Sequence, residues 1–160
     1  MNKALHAAKQ NFGAGGHKWQ EVVKQMTLDY VSHDVLDYGC GKGTLRKALP
    51  FDITEYDPAI EAKAYPKRQH DIVVCTDVLE HIEPEYIDAV LDDISWLTHK
   101  AALLVISTRK AKKSLPDGRN AHLIIKDSSW WIARISKRFK TVTKIKSKQA
   151  DEIALICEVI

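Results

Sequence analysis

The sequence predicts an α/β protein, a three-layer α/β/α sandwich built on a mostly parallel sheet. Three observations carry that expectation. Apolar runs near 35–36, 71–75 and 101–107 alternate with segments whose apolar residues recur at helical spacing. A glycine-rich turn, Gly39-Cys40-Gly41-Lys42-Gly43, directly follows the first run. Two late segments, 139–147 and 152–160, follow each other without a helix between them, as a closing antiparallel pair would.

Taken in order, residues 11–16 are loop-like and hold three glycines. A helix is expected over 17–31, where Trp19, Val22, Val23, Met26 and Tyr30 form one apolar stripe. The first strand is expected over 34–38, and a helix over 44–49 stopped by Pro50. A second strand should cover 52–56. Only residues 58–70 then precede the next apolar run, which leaves room for one short helix near 59–64. The strand over 71–75 leads to a helix opened by Pro84, a residue suited to a first helical turn. Ile87, Val90, Leu91, Ile94 and Leu97 make that helix's buried stripe. The run over 101–107 is apolar throughout, as a central parallel strand should be. A polar, basic loop over 108–122 follows, and Ser128 or Ser129 is expected to cap a helix running to about 138.

The 160 residues suit one domain, with a leader and helix over 1–31 and a core over 34–160. Apolar residues make up 45% and charged residues 28%, which fits a soluble globular chain. No apolar run is long enough to span a bilayer, so no membrane role is expected. Cys40, Cys75 and Cys157 are odd in number and widely spaced, which fits neither a disulfide framework nor a zinc motif and points to a reducing cytoplasm. A net charge of +3 does not by itself indicate nucleic acid.

The chemistry concentrates around the glycine turn. A strand that ends in Asp37 and breaks into Gly39, Gly41 and Gly43 suits the binding of an adenosine-containing cofactor at the sheet's carboxyl edge. Thr44 stands where a dinucleotide fingerprint needs its third glycine, which disfavours a nicotinamide-dependent oxidoreductase. Asp57 lies twenty positions after Asp37, the interval expected for a carboxylate on a ribose. In Tyr56-Asp57-Pro58 it could equally be a turn residue.

The stretch over 35–45, the segments ending in Asp57 and His81, and the strand over 101–107 together resemble class I S-adenosylmethionine-dependent methyltransferases, in the right order. The resemblance implies a Rossmann-like fold with its third-strand region shortened. It implies S-adenosylmethionine as cofactor, with S-adenosylhomocysteine as product. It implies that Asp37, Gly39, Gly41, Gly43, Asp57, Thr76 and Asp77 line the cofactor cleft. By the same resemblance the pair Phe12 and Gly13 would cover the methionine end, although a flexible leader would read the same way. His81, in Leu79-Glu80-His81, and His122, in the loop after the fifth strand of the family, are candidate catalytic bases. The ordinary alternative for His81 is a histidine bonded to backbone. A metal site from Glu80, His81 and His122 is conceivable, but scattered ligands without close spacing are weak evidence, and no metal is assigned.

The acceptor expected is a small molecule taking the methyl on oxygen or nitrogen. Arg109, Lys110, Lys112, Lys113 and Arg119 could receive an anionic one, or simply form a solvated loop. A nucleic-acid acceptor is weakly supported, because the basic band from Lys137 to Lys148 lacks interleaved aromatics. A non-catalytic cofactor-binding protein is the remaining alternative. One of Trp130 and Trp131 could shape the acceptor pocket, the other anchoring the core. The sequence sets no oligomeric state.

Overall fold

A computed structural model describes residues 15–64 and 68–159. The chain enters through a 3-10 turn, Gly16–Trp19, which runs straight into α1, Gln20–Asp29. Then come β1, Val35–Tyr38, and α2, Thr44–Ala48, followed by β2, Thr54–Tyr56. Next are β3, His70–Thr76, α3, Ile87–Leu97, and β4, Thr98–Ser107. The chain ends with α4, Ser128–Ile135, β5, Thr141–Ile145, and β6, Glu152–Glu158.

The six strands form one sheet in the order β2-β1-β3-β4-β6-β5. β2, β1, β3 and β4 are mutually parallel, and β6 runs antiparallel to both β4 and β5. The expected closing pair is therefore present. The order reverses between β1 and β3, and such a switch point opens a crevice at the carboxyl ends of the strands.

Two cores explain the three layers. Successive strand residues point to opposite faces. Leu36, Val73, Cys75, Ala102 and Leu104 face α3 and α4, where Leu91, Ile94 and the fully buried Trp131 cover them. Val35, Ile72, Val74, Leu103 and Val105 face the other way, toward Trp19, Val23 and Met26 of the entry turn and α1 and toward Leu45 of α2. Trp131 is thus a core anchor, while Trp130 lies partly exposed with the Arg134 guanidinium 4.7 Å from its ring centre.

Two local expectations change. α4 is capped by Asp127, whose side chain accepts the Trp130 N–H at 2.8 Å, and not by Ser128 or Ser129. The bond reaches from Ncap to N3, so the residue before the serines holds the capping geometry. Pro84 opens a 3-10 turn, Pro84–Tyr86, and α3 proper begins three residues later. Between β2 and β3 the described residues hold a 3-10 turn, Glu61–Lys63, and no further strand, as the short interval predicts.

Candidate active site

The glycine turn leaves β1 at the switch point. Gly39, Gly41 and Gly43 have φ of 77°, 50° and 66°, a left-handed region that side chains disfavour. Space is also short. A Cβ on Gly39 would lie 2.5 Å from Val78 Cγ2, and one on Gly43 would lie 2.1 Å from Glu55 Oε1. The loop after β3 therefore packs directly on the glycine turn.

Asp37 is 4% exposed. It pairs in register with Glu55 on β2. Burial first, and then the neighbouring Glu55 and Asp57 charges, push its carboxyl up to about 7, against the opposing pull of Lys63. Asp57 is fully buried. Its Oδ2 accepts the Gly41 N–H at 3.0 Å and its Oδ1 accepts the Ala59 N–H at 2.9 Å. The second of these is an Asx-type turn, so the turn reading holds in this conformation. Lys63 closes the arrangement. Its Nζ donates to Gly41 O at 3.2 Å and lies 3.2 Å from Glu55 Oε2, while its own carbonyl accepts the Asp57 N–H.

The loops after β3 and β4 carry the remaining candidate residues. Asp77 is a non-glycine residue at φ 55°, a strained conformation of the kind that collects at functional sites. Burial pushes its carboxyl up, opposed by Lys18, His122 and Arg109. A Cβ on Gly15 would lie 2.7 Å from Asp77 Oδ2, so the N-terminal turn also reaches this point. Thr76 ends β3 beside it, in register with Val105.

Glu80 is fully buried. Its Oε1 accepts the Ser107 N–H at 3.1 Å, its backbone carbonyl accepts the N–H groups of Leu123 and Ile124, and Oε2 has no partner. Burial, and then the Asp77 charge, push its carboxyl up to about 8. His81 Nδ1 lies 2.7 Å from Ala121 O, and His122 Nδ1 lies 2.5 Å from Arg109 O. A carbonyl only accepts, so each Nδ1 carries a proton. The two rings meet edge to face, with centres 4.8 Å apart. Two histidines 41 positions apart in sequence thus converge at the carboxyl edge, as parallel β3 and β4 require.

The basic loop is less free than its composition suggests. Arg119 makes a bidentate pair with Glu83, at 2.8 and 2.9 Å, and also bonds Asp117. It ties the loop after β4 to the loop after β3. Arg138 of the second basic band is held by Asp88 and Asp92. Phe12 and Gly13 lie outside the described residues.

The glycine turn thus leaves the sheet at its switch point, with Val78, next to the strained Asp77, packed against it. A family model for a methyltransferase domain matches residues 8–158. The chain belongs to the methyltransferase domain family.

Solved structures agree on the fold. The DhpI–SAH complex matches this methyltransferase with a TM-score of 0.63 at 15% identity, covering 96% of this chain and 92% of that one. Magnesium protoporphyrin IX methyltransferase from Synechocystis PCC 6803 with bound SAH matches at 0.61 and 16% identity, covering 96% and 89%. The CurJ carbon methyltransferase matches at 0.62 and 10% identity, covering 98% of this chain and 57% of that one. No curated protein matches in sequence. Among the described residues, no helix is long and apolar enough to cross a membrane.

Residues that sequence reasoning missed are Glu55, Lys63 and Ser107. Each acts through a partner distant in sequence. Only Glu55 gave a local signal, as an acid inside a short strand.

Proposed function

We propose that this methyltransferase binds S-adenosylmethionine across the carboxyl ends of β1, β2 and β3 and transfers its methyl group to an oxygen or nitrogen of a small molecule. The observation that carries the reading is the left-handed Gly39-Gly41-Gly43 turn at the switch point, packed against the loop that presents Asp77. Main chain without Cβ atoms lets a cofactor lie against β1. Asp37 faces the cofactor's ammonium group, Asp57 its ribose, and Thr76 and Asp77 its methyl end. Cofactor entry would exchange the bonds that the Gly41 and Ala59 N–H groups give Asp57, and the Lys63 contact to Gly41 O, for bonds to the ribose.

Methyl transfer from a sulfonium is an in-line displacement that releases a neutral thioether. The protein's tasks are to align the acceptor, exclude water and accept the acceptor's proton. His81 and His122 are the proposed catalytic groups. Their Nδ1–H groups are committed to backbone carbonyls, so Nε2 meets the acceptor. An anionic acceptor would be met by Arg109 and the lysines of its loop, since Arg119 is already paired.

Calorimetric titration with S-adenosylhomocysteine tests the reading. Micromolar affinity, about 8 kcal/mol, is expected. Asp57→Ala should weaken it by about 1–3 kcal/mol through loss of a buried charged acceptor. Binding of NAD in place of S-adenosylhomocysteine, or affinity unchanged by Asp57→Ala, would contradict it. The shortened interval between β2 and β3, which holds only a 3-10 turn among the described residues, favours a second reading, a cofactor-binding protein without turnover. Labelled-methyl transfer to any small acceptor would exclude that.

A further inference from the structure

We propose that Glu80, His81 and His122 form a binding site for a divalent transition-metal ion on the acceptor side of the cleft. One ligand atom from each residue lies within 4.8 Å of the others. An ion bonded at ~2.1 Å needs donors ~3–3.5 Å apart, so small side-chain rotations would close the triad around it.

Three further observations point the same way. Glu80 is fully buried, and Oε2 has no hydrogen-bond partner. A buried carboxylate oxygen left unsatisfied is costly, and a cation would satisfy it. Each histidine donates Nδ1–H to a backbone carbonyl, at 2.7 Å for His81 and 2.5 Å for His122. That outer contact places a proton on Nδ1 and fixes the ring orientation, as in metal-ligating imidazoles generally. The frame is also held before any ion arrives: Ser107 N–H pins Oε1, and Leu123 and Ile124 N–H pin the Glu80 carbonyl.

Two imidazoles and one carboxylate suit Zn²⁺, Mn²⁺, Fe²⁺ or Co²⁺ better than Mg²⁺ or Ca²⁺, which prefer all-oxygen shells. Three protein donors would leave coordination positions open for an acceptor. The site deepens the acceptor half of the proposed function and rests on that reading for its role. There an acceptor hydroxyl would bind the ion and lose its proton to water. Its oxygen would then take the methyl as the carbon–sulfur bond breaks to the neutral thioether. In that state the histidines are ligands and not bases.

The test uses the intact chain, stripped with a chelator and titrated with Zn²⁺ or Co²⁺ alone, without cofactor. The wild type should bind one equivalent with micromolar or tighter affinity, and Co²⁺ should develop visible absorption bands. His81→Ala and His122→Ala should each weaken binding at least 10-fold, and Glu80→Gln should do so while keeping an acceptor for Ser107 N–H. His99→Ala, at an exposed histidine paired with Asp71, should change nothing. Circular dichroism and S-adenosylhomocysteine binding report whether the variants fold. Equal ion affinity in the wild type and the His81→Ala/His122→Ala double variant would overturn the site, as would an equal loss in His99→Ala. A wild type that binds ion but no S-adenosylhomocysteine would sink the proposed function and leave the metal site standing.

Discussion

On the β1–β2 side of the cleft, Asp57 commits both carboxylate oxygens to backbone N–H groups, whereas on the β3–β4 side Glu80 leaves Oε2 without a partner. The first side carries three acids, Asp37, Glu55 and Asp57, and closes on itself through Lys63. The second carries two histidines whose Nδ1–H groups are each held by a backbone carbonyl. If the first side binds the cofactor as proposed, the Lys63 ammonium holds Gly41 O until the cofactor arrives. A site that must act on a transient acceptor needs polar atoms already aimed and unfilled. The two halves therefore answer to different measurements, the first to affinity and the second to turnover.

The largest expected effect lies on the second side. His81→Ala or His122→Ala should lower turnover by ~10²-fold or more, in steady-state assays of labelled-methyl transfer. Affinity for S-adenosylhomocysteine should stay nearly constant, and an equal loss of affinity would erase the distinction between the halves.

Next comes the glycine turn. Gly39→Ala meets both a left-handed φ of 77° and a Val78 methyl 2.5 Å from the new Cβ. It should cost about 2–4 kcal/mol in denaturant unfolding and abolish S-adenosylhomocysteine binding. Gly118→Ala is the matched control. Its φ is 87°, but nothing lies within 4 Å of the new Cβ. Only the backbone strain remains, about 1–2 kcal/mol, with cofactor binding intact.

These glycines show what could be read from the chain. Gly39, Gly41, Gly43 and Asp57 announce themselves because a strand, its turn and the next acid are contiguous or regularly spaced. The convergence of His81 with His122 follows from the parallel order of β3 and β4. The pinning of both Nδ1 atoms does not, because Ala121 O and Arg109 O are backbone groups whose positions depend on how the loop over 108–122 folds. The Lys63 latch was equally hidden, since Glu61–Lys63 carries no periodic pattern. Asp127 was visible as a capping residue type, but Ser128 and Ser129 offered the same chemistry one and two positions later. Arg119 shows the opposite error. It reads as a free cation in a basic loop, yet its fork is taken by Glu83.

Asp37 gives the pH dependence. Its folded carboxyl titrates near about 7, above the ordinary 3.8. The folded state thus holds a proton that the unfolded state releases between those values, so stability falls as pH rises from about 4 to about 7. Asp37→Asn removes that loss. It should stabilise the cofactor-free protein at pH 8 by an amount on the order of 2–4 kcal/mol and by little at pH 4, in urea melts at the two pH values. S-adenosylhomocysteine should bind the wild type more tightly above pH 7, where Asp37 is charged and pairs with an ammonium group.

The smallest effect is expected at Arg119. Because its guanidinium is exposed and already paired, Arg119→Glu should leave acceptor KM nearly unchanged, whereas Arg109→Glu should raise KM for an anionic acceptor and flatten its salt dependence.

The most direct test of the account is a crystal structure with S-adenosylmethionine bound. The account predicts the adenosyl group over Gly39, Gly41 and Gly43, the Lys63 ammonium displaced from Gly41 O, and the methyl group directed toward the space before His81 and His122 Nε2. A cofactor bound elsewhere, or a methyl group with both imidazoles turned away from it, would contradict the account.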